Sequence, residues 1–577
     1  MRAHNKRTHA DVSLHPCRPI VLGCLTVLAL VSGVACGPQR SASDEDDERA
    51  RRVDALFTDR IKPTSPGCAV AVVEDGHVVF ERGYGLASLE LGVPITPTTV
   101  FNIASTSKQF TAASVALLAE RGALSLDDDV RRFVPELPAY ERPITIRHLV
   151  THTSGLRDYI ALMYLAGLPI ESVYTDADII AIMARQKALN SPPGEAFLYS
   201  NSGYVLLSVI VERATGQPFG RFVEQEIFRP LKMRASRVYD DRTMIVPQRA
   251  TGYHRKPDGS YGARMSSWDR VGDGGVLTTV RDLARWDANF FKPVVGRKLI
   301  SELVTPQPLA NGESSGYAFG LSVNTFRGQR VVSHAGGIEG FLADMVRFPD
   351  QHFSVICLCN DDGIAPTTLT RRIAEIYLED VFEAQTTAPE SASPVRIEPP
   401  VLEGWAGLYR NPDTRANATV RVTDDRRGLA IQWTGPPIRF DPVTAERFRG
   451  AGEVRGLSVE LTSNGFHLTP ALGSPSTFNR VQRVSPSASV IAQYVGRYRS
   501  DELNVTYAVD ARDGRLWLDR SVNRAEELAP MIADEFSAGS LMLAFLRDER
   551  GAVVGFRLNA GRVQNLTFTK LTSRPSE

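Results

Sequence analysis

Alternation of apolar and polar residues divides the chain into blocks. Residues 20–34 form an apolar run behind a basic start at Arg2, Lys6 and Arg7. The run is shorter than the ~20 residues a spanning helix needs, and it has the make-up of a signal-peptide core. A polar, charged stretch over 41–52 reads as a tether. Two β-type runs, 68–73 and 78–84, flank Glu74-Asp75-Gly76 and predict a hairpin. Over 105–121 the apolar residues Phe110, Ala113, Val115, Leu117 and Leu118 predict a helix that Gly122 ends. The middle section beyond it is mostly helical. β-type runs return at 317–324, 330–333, 343–348 and 354–360, and a last helix is expected over 369–382. Strands at both ends around a helical middle predict an α+β domain, with one antiparallel sheet built from both ends and a helical insertion.

Residues 386–400 are rich in Pro, Ser, Thr and Glu and read as a linker. The remainder of the chain is an internal repeat. Trp405-Ala406-Gly407-Leu408-Tyr409-Arg410 matches Tyr494-Val495-Gly496-Arg497-Tyr498-Arg499. Leu429-Ala430-Ile431 matches Leu516-Trp517-Leu518, Pro442 and Phe448 match Pro530 and Phe536, and Phe478 matches Phe568. Each copy has short alternating segments split by Gly, Asp and Pro, the signature of a small antiparallel barrel or sandwich. The expected organisation is a signal peptide over 1–35, a tether over 36–52, a first domain over 53–385, the linker, and β-domains over 401–484 and 489–573.

Composition changes this picture little. A chain of 577 residues is too long for one core, so several domains are required. The formal net charge of +0 gives no reason to expect nucleic acid as a partner. Cys17 and Cys24 lie in the leader. Cys68, Cys357 and Cys359 sit in apolar β-type runs and are expected as buried reduced thiols. Cys357 and Cys359 share one strand face and cannot sensibly bridge each other along it. Gly33-Val34-Ala35-Cys36 resembles a bacterial lipobox, which implies an exported, periplasmic protein anchored to the membrane only through a lipid on Cys36. The alternative is cleavage after Ala35 and a soluble periplasmic or secreted protein.

Three motifs carry candidate chemistry. Ser105-Thr106-Ser107-Lys108 places a serine and a lysine three residues apart, on one face of a helix start. Serine needs a base to act as a nucleophile, and a buried lysine with a lowered pKa can be one. Tyr199-Ser200-Asn201 comes after a Pro192-Pro193-Gly194 turn and offers a proton-sharing hydroxyl and an amide. His334-Ala335-Gly336-Gly337 ends an apolar strand, where glycine permits close backbone approach. Each motif alone reads as a cap, a core tyrosine or a structural histidine.

In this order and spacing they resemble the serine penicillin-recognising hydrolases: class C β-lactamases, D-alanyl-D-alanine carboxypeptidases, D-aminopeptidases and related esterases. Phe101-Asn102-Ile103-Ala104, the stretch from Ile144 to Leu156, and Gly272-Asp273-Gly274-Gly275 extend the likeness. The resemblance implies a β-lactamase/transpeptidase-like first domain followed by two small β-barrels, as in a bacterial D-aminopeptidase whose last barrel reaches over the active site. It implies that Ser105 is acylated, that Lys108 and Tyr199 move the proton, and that the N–H groups of Ser105 and Gly337 form an oxyanion hole. Asn201 and Gly336 are implied to bind substrate, with His334 in the place of a strand lysine. Which of Lys108 and Tyr199 is the base stays open. His334 and the hydroxyl-lacking Ala335 count against strong recognition of substrate carboxylates there. No cofactor or metal is implied; His148 and His152 have helical metal spacing but no third ligand.

The expected substrate is a small peptide, amide or ester, cell-wall peptides among them, with D-aminopeptidase action favoured. Carboxylesterase, D-Ala-D-Ala carboxypeptidase and weak β-lactamase activity are the alternatives within enzymes. A non-catalytic penicillin-binding-like sensor is the alternative outside them.

Overall fold

The computed structural model describes residues 42–382 and 395–571, apart from 413, 415, 434–436, 452–456, 470–474 and 521–524. The expected signal peptide, Cys36 and the linker up to residue 394 lie outside the described residues. The chain divides into two compact units, 1–48 and 49–577. In the first, the described residues 42–48 are helical, as the opening of a helix over Ala42–Thr58. The stretch expected as a tether is therefore helical from Ala42 onward.

In the second unit both ends of the first domain meet in one antiparallel sheet. Its order is Ser322–Phe326, Gln329–Ile338, Phe341–Phe348, Phe353–Cys359, Cys68–Glu74 and His77–Tyr84. Cys68–Glu74 shows why. Side chains alternate across a strand, and this strand is buried on both faces. Val70 and Val72 pack with Val53, Phe57, Leu369 and Ile373 on one side. Ala69, Ala71 and Val73 face the main core on the other. The hairpin at Asp75 and Gly76 turns through positive φ at both residues, +49° and +80°, which matches strand twist.

Three expectations are corrected. The cysteines Cys68 and Cys359 are not reduced thiols but a disulfide. They stand directly opposite each other on neighbouring strands, a cross-strand register that spacing along one strand does not reveal. Cys357 remains a free, buried thiol. The strand expected from Tyr317 begins at Ser322, because Gly316 and Gly320 take positive φ and bend the approach. The last helix runs over Pro366–Tyr377, opening on a proline whose missing N–H needs no partner in a first turn.

Each sequence repeat folds into a closed eight-stranded antiparallel barrel. The matched residues do the same work in both. Tyr409 donates to the Trp405 carbonyl at 2.8 Å, and Tyr498 donates to the Tyr494 carbonyl at 2.6 Å. Pro442 pairs with Phe448, and Pro530 with Phe536. A short helix leads into each barrel, Pro399–Trp405 and Ala488–Tyr494. The barrels differ in how they are held. The first has its own core. The core of the second is continuous with that of the first domain, joining Tyr498, Phe556 and Phe568 to Leu149 and Leu162.

Candidate active site

Ser105 lies in a 3-10 turn, Ala104–Ser107, that leads directly into the buried α-helix Lys108–Glu120. The expected helix thus starts with a tighter turn at the serine. Ala104 is held at φ +46°, a costly conformation for a residue with a Cβ. The Asn102 side chain steadies it by accepting the Ala104 N–H at 2.9 Å.

Lys108 is fully buried. Its Nζ donates to Ser105 Oγ at 3.0 Å, to Asn201 Oδ1 at 2.9 Å and to the Asp273 carbonyl at 2.6 Å. Burial, only partly countered by Asp273, pushes its pKa down to about 7. Tyr199 is shifted the other way. Burial raises its hydroxyl, against the hydrogen bond it makes with Ser105. Of the two groups beside the serine, the lysine is the one that sheds its proton near neutrality.

Asn201 opens the helix Asn201–Thr215. Asp158 Oδ2 accepts both its backbone N–H, at 2.8 Å, and its Nδ2, at 2.9 Å. The amide is thereby turned so that Oδ1 faces Lys108. Asp273 is gripped in turn by Arg270 and by Tyr159, whose hydroxyl donates at 3.0 Å.

The strand Gln329–Ile338 forms the opposite wall. Ala335 and Gly337 are exposed, while His334 and Gly336 are buried. His334 Nδ1 lies 2.6 Å from the Ala335 carbonyl and Nε2 lies 3.0 Å from Tyr317 Oη. Because a carbonyl only accepts, Nδ1 carries the proton and Nε2 accepts from the tyrosine. Burial drives the pKa of His334 down to about 3, so the ring is neutral rather than partly charged at neutral pH. Gly336 borders the cleft, but its Cα is pressed against the serine turn. A Cβ there would stand 2.1 Å from the Ile103 carbonyl oxygen. Its geometry is that of a close-packing glycine more than of a substrate contact.

His152 packs beneath Tyr199, ring centroids 4.2 Å apart, and accepts the Ser200 N–H through Nδ1 at 3.1 Å. His148 accepts the Thr145 N–H at 3.1 Å. Both histidines of the spaced pair thus spend Nδ1 on backbone.

A cleft of about 1420 Å³ brings together Ser105, Tyr199, Asn201, His334, Gly337 and Arg562. The residues expected from the motifs meet here, with Lys108 buried beneath Ser105 rather than on the lining. Sequence reasoning passed over Asp158, Tyr317, Glu339 and Arg562. Asp158 and Tyr317 act through side-chain contacts that leave no local pattern. Arg562 belongs to the second barrel, in the turn between strands Val553–Ala560 and Val563–Lys570. Its Cζ lies 4.6 Å from the centre of the Tyr199 ring.

The Beta-lactamase family model matches residues 53–378. The chain belongs to the beta-lactamase family of hydrolases. The match ends just before the linker, where the family domain ends in the structure. The chain is 28% identical over 525 residues to a D-aminopeptidase of Cereibacter sphaeroides, covering 88% of this chain and 96% of that one. It is 26% identical over 523 residues to a D-aminopeptidase of Brucella anthropi, covering 88% and 95%. The octameric penicillin-binding protein homologue from Pyrococcus abyssi shares the fold, with a TM-score of 0.52 at 22% identity over 84% of this chain and 99% of that one. Both D-aminopeptidase alignments cover far more of the chain than residues 53–378, so the likeness holds beyond the first domain.

Proposed function

We propose that this beta-lactamase-family hydrolase cleaves short peptides or amides of D-amino acids through an acyl-enzyme on Ser105. The observation that carries the mechanism is the buried Lys108 Nζ, 3.0 Å from Ser105 Oγ. Lys108 removes the proton as Oγ attacks the substrate carbonyl carbon. The N–H groups of Ser105 and Gly337 receive the developing oxyanion at the helix start. As the tetrahedral intermediate collapses, the C–N bond breaks and the proton passes through Tyr199 to the leaving nitrogen. Water then attacks the ester by the reverse route.

The likeness to D-aminopeptidases along most of the chain supports the substrate class. Glu339 supports it independently. It lines the cleft two residues beyond Gly337, and its Oε2 is buried without a hydrogen-bond partner among the described residues. A substrate ammonium group satisfies such a carboxylate. A location outside the reducing cytosol is part of the proposal, and the buried Cys68–Cys359 bridge supports it.

The test pairs labelling with turnover. A fluorophosphonate should label the full chain and fail to label Ser105→Ala. D-Ala-p-nitroanilide should turn over faster than p-nitrophenyl acetate or nitrocefin. Glu339→Gln should lower kcat/KM on D-Ala-p-nitroanilide by about tenfold relative to its N-acetylated form. Turnover of simple esters alone would defeat the peptidase reading.

A further inference from the structure

The catalytic domain holds the tip of the second barrel in place. Asp158 N–H and Asn190 Nδ2 both donate to the Arg562 carbonyl, at 3.3 and 2.9 Å. Asn190 Oδ1 accepts the Gln564 N–H at 2.7 Å. Arg562 is therefore presented to the cleft from a fixed backbone. Its side chain is 47% exposed, against 1% for Asp158, its ion-pair neighbour at 3.6 Å. That Asp158 oxygen already accepts twice from Asn201. A guanidinium has five donors in a planar fork, and one long contact to an occupied oxygen leaves most of that fork for a ligand.

Two other cations beside the serine are already paired. Lys108 is enclosed by three acceptors. Arg270 is buried against Asp273. The strand position that a cation would otherwise take is His334, whose two ring nitrogens are both engaged. Arg562 thus supplies positive charge on the Tyr199 side of Ser105. That is the side of the leaving group, because Tyr199 delivers its proton.

We propose that Arg562, carried into the cleft by the second barrel, is a specificity-determining residue that receives a carboxylate on the leaving group. The favoured substrates are then short peptides with a free C-terminus, such as dipeptides, rather than amides or anilides. With Glu339 taking the ammonium, the cleft has one receptor for each end of a zwitterionic dipeptide. The inference rests on acyl transfer through Ser105 as the reaction of this site.

The full chain is assayed on D-Ala-Gly and on its C-terminal amide. The free acid should be preferred in kcat/KM by about tenfold or more. Arg562→Gln should bring that ratio close to one. Arg562→Lys should keep part of it, because charge remains and the fork is lost. A wild-type ratio near one, or a ratio unchanged in Arg562→Gln, overturns the proposal. A second measurement reads the same contact without turnover: protection of Ser105 from fluorophosphonate by phenylboronic acid with and without a meta carboxylate. The carboxylated compound should protect at lower concentration in the wild type, and Arg562→Gln should abolish the difference. A protein that is labelled but ignores both dipeptides overturns the D-aminopeptidase reading alone, and the boronate comparison then decides the role of Arg562. A protein that the fluorophosphonate does not label overturns the acyl-enzyme itself.

Discussion

Lys108 sets the pH response at the scale of single residues. In the proposed mechanism its neutral form is the base, and burial puts the transition at about 7. Below that value kcat/KM should fall about tenfold per pH unit, and above it the profile should level. Stability has its own sign. Unfolded, the lysine titrates near its ordinary value of 10.5, so between about 7 and 10.5 the unfolded chain binds the extra proton. Stability from this group therefore rises as pH climbs through that window and is flat below it. Lys108→Met should abolish turnover and remove this increment, which denaturation at two pH values will show. An increment that persists in the variant would mean another group is responsible. The Ser-x-x-Lys spacing was legible in the sequence because it is local. The depressed pKa was not, since it comes from a dry enclosure contributed by distant segments.

Among the elements, the contact between the serine turn and the strand Gln329–Ile338 leaves no room for a side chain at Gly336. Thr106 Oγ1 donates to the His334 carbonyl at 3.2 Å, and Gly336 lies against Ile103. Gly336→Ala must push strand and turn apart, because a Cβ cannot sit 2.1 Å from a carbonyl oxygen. We expect a loss of at least about a hundredfold in kcat/KM, from a proposed oxyanion hole opened by about an ångström. The overall fold should survive, as circular dichroism will report. Near-normal activity would show that the strand can retreat without cost. Strand and helix positions were readable from periodicity. The strand boundary at Ser322 and the 3-10 turn at Ser105 were not, because glycine conformations and tertiary contacts decide them.

At the largest scale, the second barrel is tied to the first domain by a buried ion pair. Arg157, fully buried, donates to Glu502 of the second barrel at 2.6 Å and to the carbonyls of Gln564 and Asn565 at 3.1 Å. Its neighbour Asp158 orients Asn201, so the barrel supports the same loop that holds this cleft-lining amide. Glu502→Ala leaves a buried cation without its partner and should cost about 3–5 kcal/mol, measured by chemical denaturation. Catalytic efficiency should fall with it. The separate core of the first barrel predicts no such coupling for surface ion pairs there, such as Arg439 with Asp441.

The linear order of residues was enough to predict an α+β first domain and twin β-domains and, through the family resemblance, to place Ser105, Lys108, Tyr199, Asn201 and His334 in one site. Those features rest on periodicity, on turn residues and on motifs whose chemistry is local or shared by a family. Tertiary structure alone decided that Cys68 meets Cys359, that His334 is neutral, and that Arg562 enters the cleft from a barrel far beyond His334 in the chain. Each of these depends on which distant segments pack together. Cross-strand register, burial and the docking of one domain on another are set by the folded whole, and no stretch of sequence carries them by itself.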